Sequence, residues 1–464
     1  MEIFQIIKRG NVKSGKNEKV IIVGGGLSGP VMAMYLAEKG CRVDIYEQRP
    51  DMRKENIHAG RSINLAISKR GITALKDIGV FHHISSQLIP MYGRKIHDIN
   101  GSTRFLPYGR TDQYINSVSR AELNVLLMTE AEKTEKVRFF FQHTCSGMDL
   151  ESGTVFITNE INGDLVTING APVIAADGAG SAVRESMIGS GVISGSFDPL
   201  GHSYKELNIP PDRSGDFQLD PNALHIWPRG KFMLIALPNI NRSFTVTLFL
   251  PNTGDISFST IGSPNDLDDL FKEKFPDVLG FIPDLQTDFF SNPTGKLGTV
   301  KCSPWNVNEL VLIGDAAHAV VPFFGQGMNA SFEDCTVLNQ MMDSKDDWME
   351  LFKSFSIKRK TDGDAIADMA LENYIEMRDS VNNEKFLTQR DLERKLELKY
   401  PDQFISRYSM VSFHQIPYSI VQERGEVQQR ILDWIMENNN SNTPVTAEDI
   451  EKEIKSKLSV LPLS

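Results

Sequence analysis

The chain predicts an α/β fold: a parallel sheet, a mostly antiparallel insert that interrupts it, and a helical C-terminal region. Three observations predict this. A short apolar run over 19–23 enters a glycine turn, and a second such run returns far down the chain at 311–313. Between them lie strand-like stretches separated by Pro-, Gly- and Asn-containing turns. From Trp348 onward the pattern is predominantly helical.

In order, residues 19–23 read as a strand. A helix over 29–39 follows, with Val31, Met34, Tyr35 and Ala37 as its packing positions and Gly40 as its stop. Residues 42–46 alternate as a second strand that ends on Glu47, which completes a βαβ unit. In the middle, 224–227, 232–237 and 244–250 read as strands. In the last, Phe244, Val246, Leu248 and Leu250 share one face. A buried strand at 311–313 and a helix over 328–341 return to the first pattern. The polar run 438–443 separates a last charged helix, and no internal repeat is detectable. The resulting organisation is a disordered leader over 1–18 and a cofactor domain over 19–184 and 295–375, with 67–110 contributing to a substrate site. A β-sheet substrate domain is inserted over 185–294, and a helical domain occupies 376–464.

Composition narrows the function. The 464 residues, 41% of them apolar, are enough to bury more than one core. A net charge of -11 argues against nucleic acid, which requires a basic stripe, but leaves room for a local basic pocket and an anionic small substrate. Cys41, Cys145, Cys302 and Cys335 lie far apart with no C-x-x-C, as expected of reduced structural thiols in a cytoplasmic protein. The apolar start at 3–7 is too short for a signal sequence, and the apolar end at 458–463 is too short for an anchor. No run approaches the ~18 apolar residues of a membrane span. Neither a metal site nor an acid–base triad is expected.

Three motifs carry the chemistry. Gly24, Gly26 and Gly29 form G-x-G-x-x-G: the first permits the tight turn, the second admits a pyrophosphate, and the third lets strand and helix pack. Leu27 and Ser28 lead into the helix whose unpaired N–H groups face the phosphates, and Glu47 stands where an adenosine ribose is accepted. This is a Rossmann-like unit. The second motif, Ala-Ala-Asp-Gly-Ala-Gly over 175–180, puts Asp177 in a strand-to-helix turn with Arg184 beyond it. The third, over 312–318, presents Asp315 after a buried strand, followed by Gly325-Gln326-Gly327-Met328-Asn329. Asp315 suits the ribityl hydroxyls of a flavin. The glycines let the amides of 327–329 approach the pyrimidine end of its ring, and a helix starting at Met328 adds positive potential there. Together the three imply one bound FAD. His318 reads as an ordinary partly buried histidine, with no histidine or carboxylate at ligand spacing.

In order and spacing the three motifs resemble the single-component flavin aromatic hydroxylases of the para-hydroxybenzoate hydroxylase type. Longer blocks, including those at 60–66, 107–110, 222–228, 242–250, 293–297, 321–329 and 370–374, are similar to the members that act on L-kynurenine. The resemblance runs from about residue 19 to about 425. It implies a glutathione-reductase-like FAD-binding domain and no separate nicotinamide domain. The substrate carboxylate falls to Arg94 and Tyr108, and Asn373 and Tyr408 line the site from the C-terminal helices. A planar guanidinium suits that carboxylate, although by itself Arg94 reads as a surface ion pair. Ile226, Phe244, Pro322 and Phe323 would wall the aromatic ring, while Phe324 stands where some members carry histidine. Arg49, Leu65 and Arg120 are implied FAD contacts, although Ser119-Arg120 also reads as the start of a helix with Ser119 as N-cap.

The implied reaction is hydroxylation of L-kynurenine to 3-hydroxy-L-kynurenine with NADPH and O2, through a C4a-hydroperoxyflavin, within tryptophan degradation and NAD synthesis. Substrate binding is expected to accelerate flavin reduction. The expected assembly is a monomer or homodimer. Two other readings stay open: a flavin hydroxylase of another aromatic acid, and a flavin-fold binding protein without turnover.

Overall fold

The computed structural model describes residues 18–54, 64–345, 347–380, 384–438 and 445–461. The leader at 1–17 lies outside these residues, as do 55–63, most of the polar run at 438–443 and the last three residues.

The first sheet has the strand order Asn306–Val307, Leu310–Leu312, Val173–Ala175, Lys19–Val23, Arg42–Glu47, Val137–Phe141. Every neighbouring pair is parallel except the first, at the edge. Its central strands Lys19–Val23, Val173–Ala175 and Leu310–Leu312 are short and almost wholly apolar because both faces are covered. Helix Ser28–Glu38 buries nine consecutive residues, 29–37, rather than a stripe. It is wedged between the sheet and helix Gly327–Met342. The glycine turn, the Asp177 turn and the Asp315 turn all leave this sheet at the carboxyl ends of adjacent strands, where open α/β sheets bind ligands.

A seven-stranded sheet stands beside it, ordered Gly295–Ser303, Ser194–Ile209, Phe244–Pro251, Met233–Pro238, Ala223–Pro228, Gly93–His97, Thr103–Pro107. It is antiparallel apart from the pairing of Ala223–Pro228 with Gly93–His97. The insert alone does not make it, since two of its strands come from 93–107 and a third, Gly295–Ser303, follows the insert. That parallel register sets Arg94 opposite Leu224, and Tyr108 follows directly from the edge strand.

One face of the seven-stranded sheet carries Phe244, Val246, Leu248 and Leu250, sealed under helices Pro264–Lys274, Pro276–Leu279 and Leu285–Ser291. The other face packs against the long helix Trp348–Ile375 and helices Arg407–Phe413 and Tyr418–Asn438. Among the described residues, no helix is long and apolar enough to cross a membrane.

Candidate active site

A cavity of about 560 Å3 runs from the carboxyl end of the parallel sheet to the inner face of the large sheet. Its first end is the glycine turn. Gly24 adopts φ +102°, and a Cβ on Gly29 would meet the Gly24 carbonyl oxygen at 2.1 Å, so this turn is closed by backbone contact. Gly29 is therefore a packing residue and does not line the cavity. A Cβ on Gly26, by contrast, would meet nothing within 4 Å. Helix Ser28–Glu38 has no side-chain cap at its start, which leaves its first N–H groups for a ligand. Leu27 and Ser28 border the same space.

Glu47 is buried beside this turn. Its carboxylate accepts from Gly25 N at 2.7 Å, from Arg49 N at 2.9 Å and from Arg49 Nε at 2.7 Å. Burial alone would raise its pKa, but the bonds and charge of Arg49 and the Gly25 amide hold it below the ordinary range. Arg49 thus acts on the cavity partly through Glu47.

The other two motifs meet across the sheet. Asp177 has one carboxylate oxygen, Oδ1, without a partner, and burial pushes its pKa up. Burial also raises the pKa of Asp315, against relief from Arg120 and His318. Arg184 ties the two turns together by donating to Ala316 O at 3.0 Å and to Ala179 O at 2.6 Å. Arg120 lies exposed at the cavity wall and also opens helix Arg120–Lys133, whose N-cap Ser119 accepts from Glu122 N. The N-cap reading of Ser119 therefore holds, and Arg120 in addition borders the cavity.

Leu65, Gly325, Gly327 and Met328 line the cavity, and helix Gly327–Met342 points its N-terminus into it. Asn329 does not line it. Its side chain is a clamp behind the loop, accepting from Ser68 N and donating to Ala66 O and Gly325 O.

His318 has a carboxylate partner that spacing did not reveal. Its Nε2 meets Asp334 Oδ2 at 2.5 Å, and the same oxygen accepts from Gly314 N at 2.9 Å. Arg359 closes the cluster by donating to Asp334 Oδ1 at 2.9 Å. Buried Asp334 is thereby held in its charged form, with His318 and Arg359 outweighing the cost of burial. The cluster fixes the turn that carries Asp315.

The far end of the cavity is a polar corner in an apolar wall. Tyr108 and Tyr408 stack with ring centroids 4.8 Å apart, and the Arg94 guanidinium lies 5.0 Å from the Tyr408 ring. Arg94 is mostly buried and pairs with Glu376 at 3.6 Å, so it is not a surface residue. Its Nε and the Tyr108 hydroxyl are buried without a hydrogen-bond partner. Burial raises the Tyr108 pKa, so this phenol is a donor.

Of the four residues that the resemblance places around the substrate ring, Pro322 and Phe323 line the cavity; Ile226 and Phe244 do not. Ile226 is wholly buried beneath the wall among Ile96, Met233 and Phe249, and Phe244 points to the opposite side of the sheet. The sheet instead presents Leu224, Ile235, Leu237, Thr247 and Phe249. Thr247 and Phe249 could have been found from the same alternation that singled out Phe244, read on the other face. Asn373 lies behind the wall, where it donates to Phe323 O at 2.6 Å and borders a second cavity.

The residues present fit FAD: an open cradle at Gly26, an uncapped helix start, an orphaned Asp177 oxygen, and Asp315 and Glu47 at separate points of one cavity.

Comparison with known proteins agrees. The family described as FAD binding domain matches residues 17–213 and 268–344. The chain is similar to "Kynurenine 3-monooxygenase" of Myxococcus xanthus, 45% identical over 92% of both chains. It is also similar to the proteins of that name from Cytophaga hutchinsonii, 46% identical over 90% of this chain and 94% of the relative, and from Dictyostelium discoideum, 43% over 91% and 94%. Among solved structures, 2-methyl-3-hydroxypyridine-5-carboxylic acid oxygenase shares the fold, with a TM-score of 0.65 at 18% identity over 80% of this chain and 96% of the other.

Proposed function

The chain belongs to the FAD-binding family of the kynurenine 3-monooxygenases, and from that premise we propose how its cavity serves the reaction. It is an FAD-dependent monooxygenase that converts L-kynurenine to 3-hydroxy-L-kynurenine. NADPH is the reductant and O2 the oxygen source in this reading. The bound flavin supplies hydride acceptance and oxygen activation; the protein supplies position, polarity and dryness.

The adenosine and pyrophosphate end lies along Gly24, Gly26, Leu27 and Ser28, with Glu47 and Arg49 at the ribose. Asp177, Asp315 and Arg120 line the middle, and Leu65 with the Gly325–Met328 loop takes the ring. The substrate ring packs between Leu224, Ile235, Leu237 and Phe249 on the sheet and Pro322, Phe323 and Phe324 on the loop. Its carboxylate meets Arg94, Tyr108 and Tyr408, whose guanidinium and phenols give it planar, charge-assisted hydrogen bonding. The amino group of the substrate ring raises electron density at the neighbouring carbon, so holding that carbon against the flavin is the main task left to the protein. The apolar walls keep water from the reacting atoms.

The observation that carries this reading is the pair of buried, unpartnered donors, Arg94 Nε and Tyr108 Oη, at the apolar end of a cavity lined by the nucleotide motifs. Buried donors without acceptors are costly, and an anionic substrate supplies the acceptors. The test is NADPH oxidation by the yellow purified protein under air, with and without L-kynurenine, while 3-hydroxykynurenine is quantified. Stimulated oxidation with matching product is the expected result. Stimulation that yields peroxide alone would make kynurenine an effector and another aromatic acid the substrate, and no stimulation would remove the assignment.

A further inference from the structure

L-Kynurenine is an amino acid, and its α-ammonium group lies one carbon from the carboxylate that Arg94 and Tyr108 receive. A corner of donors alone would leave that cation facing a guanidinium. We propose that Glu376 is the specificity residue that receives the α-ammonium group; this rests on the reading that the substrate occupies the first cavity.

The placement comes from an irregularity in the long helix. Trp348–Ile375 runs into a π-helical turn, Glu376–Ser380, a widening often found at functional sites. On this turn Met377 lines the first cavity, and Glu376 lines a second cavity of about 490 Å3 that abuts it. Arg94, Tyr108, Phe324 and Tyr408 border both, so the wall between the cavities is the carboxylate corner itself.

Glu376 Oε1 stands 3.6 Å from Arg94 Nη1, too far for a direct hydrogen bond and loose enough to be opened. Its other oxygen pairs with Arg390, which also pairs with Glu393. The charges thus alternate along the wall: Glu393, Arg390, Glu376, Arg94. A zwitterion entering between Glu376 and Arg94 continues the alternation, with its ammonium toward the former and its carboxylate toward the latter. One loose ion pair is exchanged for two closer ones without a change in net charge. Glu372 on the same cavity is paired with Arg407 and stands outside this chain of charges.

The test uses the holoenzyme and two substrates, L-kynurenine and its desamino analogue, 4-(2-aminophenyl)-4-oxobutanoate. Glu376→Gln should raise KM for L-kynurenine about tenfold or more. It should leave KM for the analogue within about twofold or lower it, so the preference between the two collapses. Glu376→Asp, which keeps the charge, should recover part of that preference. FAD content, read from the visible spectrum, checks that each variant is folded. Equal losses on both substrates would overturn the proposal and reduce Glu376 to a support for Arg94, as would a native enzyme that prefers the analogue. A native enzyme that hydroxylates neither would instead overturn the function, and that failure appears before any substitution is made.

Discussion

Burial makes the charged form of Asp315 costly to stability. Burial raises its pKa in the folded protein, so the protonated form is favoured relative to the unfolded chain. Below the unfolded value, near pH 4, the carboxyl is neutral in both states and the penalty is absent. As pH rises through the folded value the penalty grows, and above it the penalty is constant. Asp315→Asn should therefore raise the melting temperature of the apoprotein at pH 8, by about 2 °C, and the gain should vanish near pH 4. On the proposed placement of the ribityl chain, the same variant should weaken FAD binding roughly ten- to hundredfold, read by flavin fluorescence, because Asn offers one neutral acceptor oxygen where the carboxylate offers two charged ones. An apoprotein no more stable at pH 8 would show that this carboxylate bears no such penalty. Glu47 has the opposite sign. Its folded pKa is lowered, so its contribution is present at neutral pH and is lost on acidification through the folded value.

Among the elements, the glycine turn was fully legible because its demands are local: three glycines and an apolar strand state a steric problem that few backbones solve. Gly29→Ala shows how strict it is. The new Cβ would lie 2.1 Å from the Gly24 carbonyl oxygen, and purified protein should be colourless, with a visible spectrum lacking flavin. The strand Phe244–Pro251 was legible in period but not in direction. Alternation defines two faces and carries no sign, and the face of Phe244 is buried by helices 264–291 that no local pattern joins to it. The pairing of His318 with Asp334 was hidden for a related reason, since the residues lie on different helices that only the tertiary fold brings together. Asp334→Ala should cost about 3–5 kcal/mol in urea unfolding, because it leaves buried Arg359 without one of its carboxylates and frees the Gly314 amide. FAD affinity should fall with it.

Across the whole molecule, buried arginines hold the C-terminal helices to the nucleotide-binding part. Arg70 donates to Glu333, to Val411 O at 2.6 Å and to His414 O at 2.8 Å, and lies over the Tyr418 ring. Arg359 reaches Asp362, which accepts from Ser419 N and Oγ. Arg70→Met should leave these carbonyls unpaired and open the 407–418 region to limited proteolysis; on the proposed placement of the substrate beside Tyr408 it should also raise KM, while the glycine turn stays intact. The strand order has a consequence for biosynthesis. Val173–Ala175 pairs with Lys19–Val23 on one side, but its other neighbour is Leu310–Leu312. Some 135 residues separate Ala175 from Leu310, so at about 5–20 residues per second a nascent chain shows a bare apolar strand edge for roughly 7–27 seconds. The ribosome must deliver nearly three hundred residues of this chain beyond its first strand before the parallel sheet can close, and until then that edge is open to any other extended chain nearby.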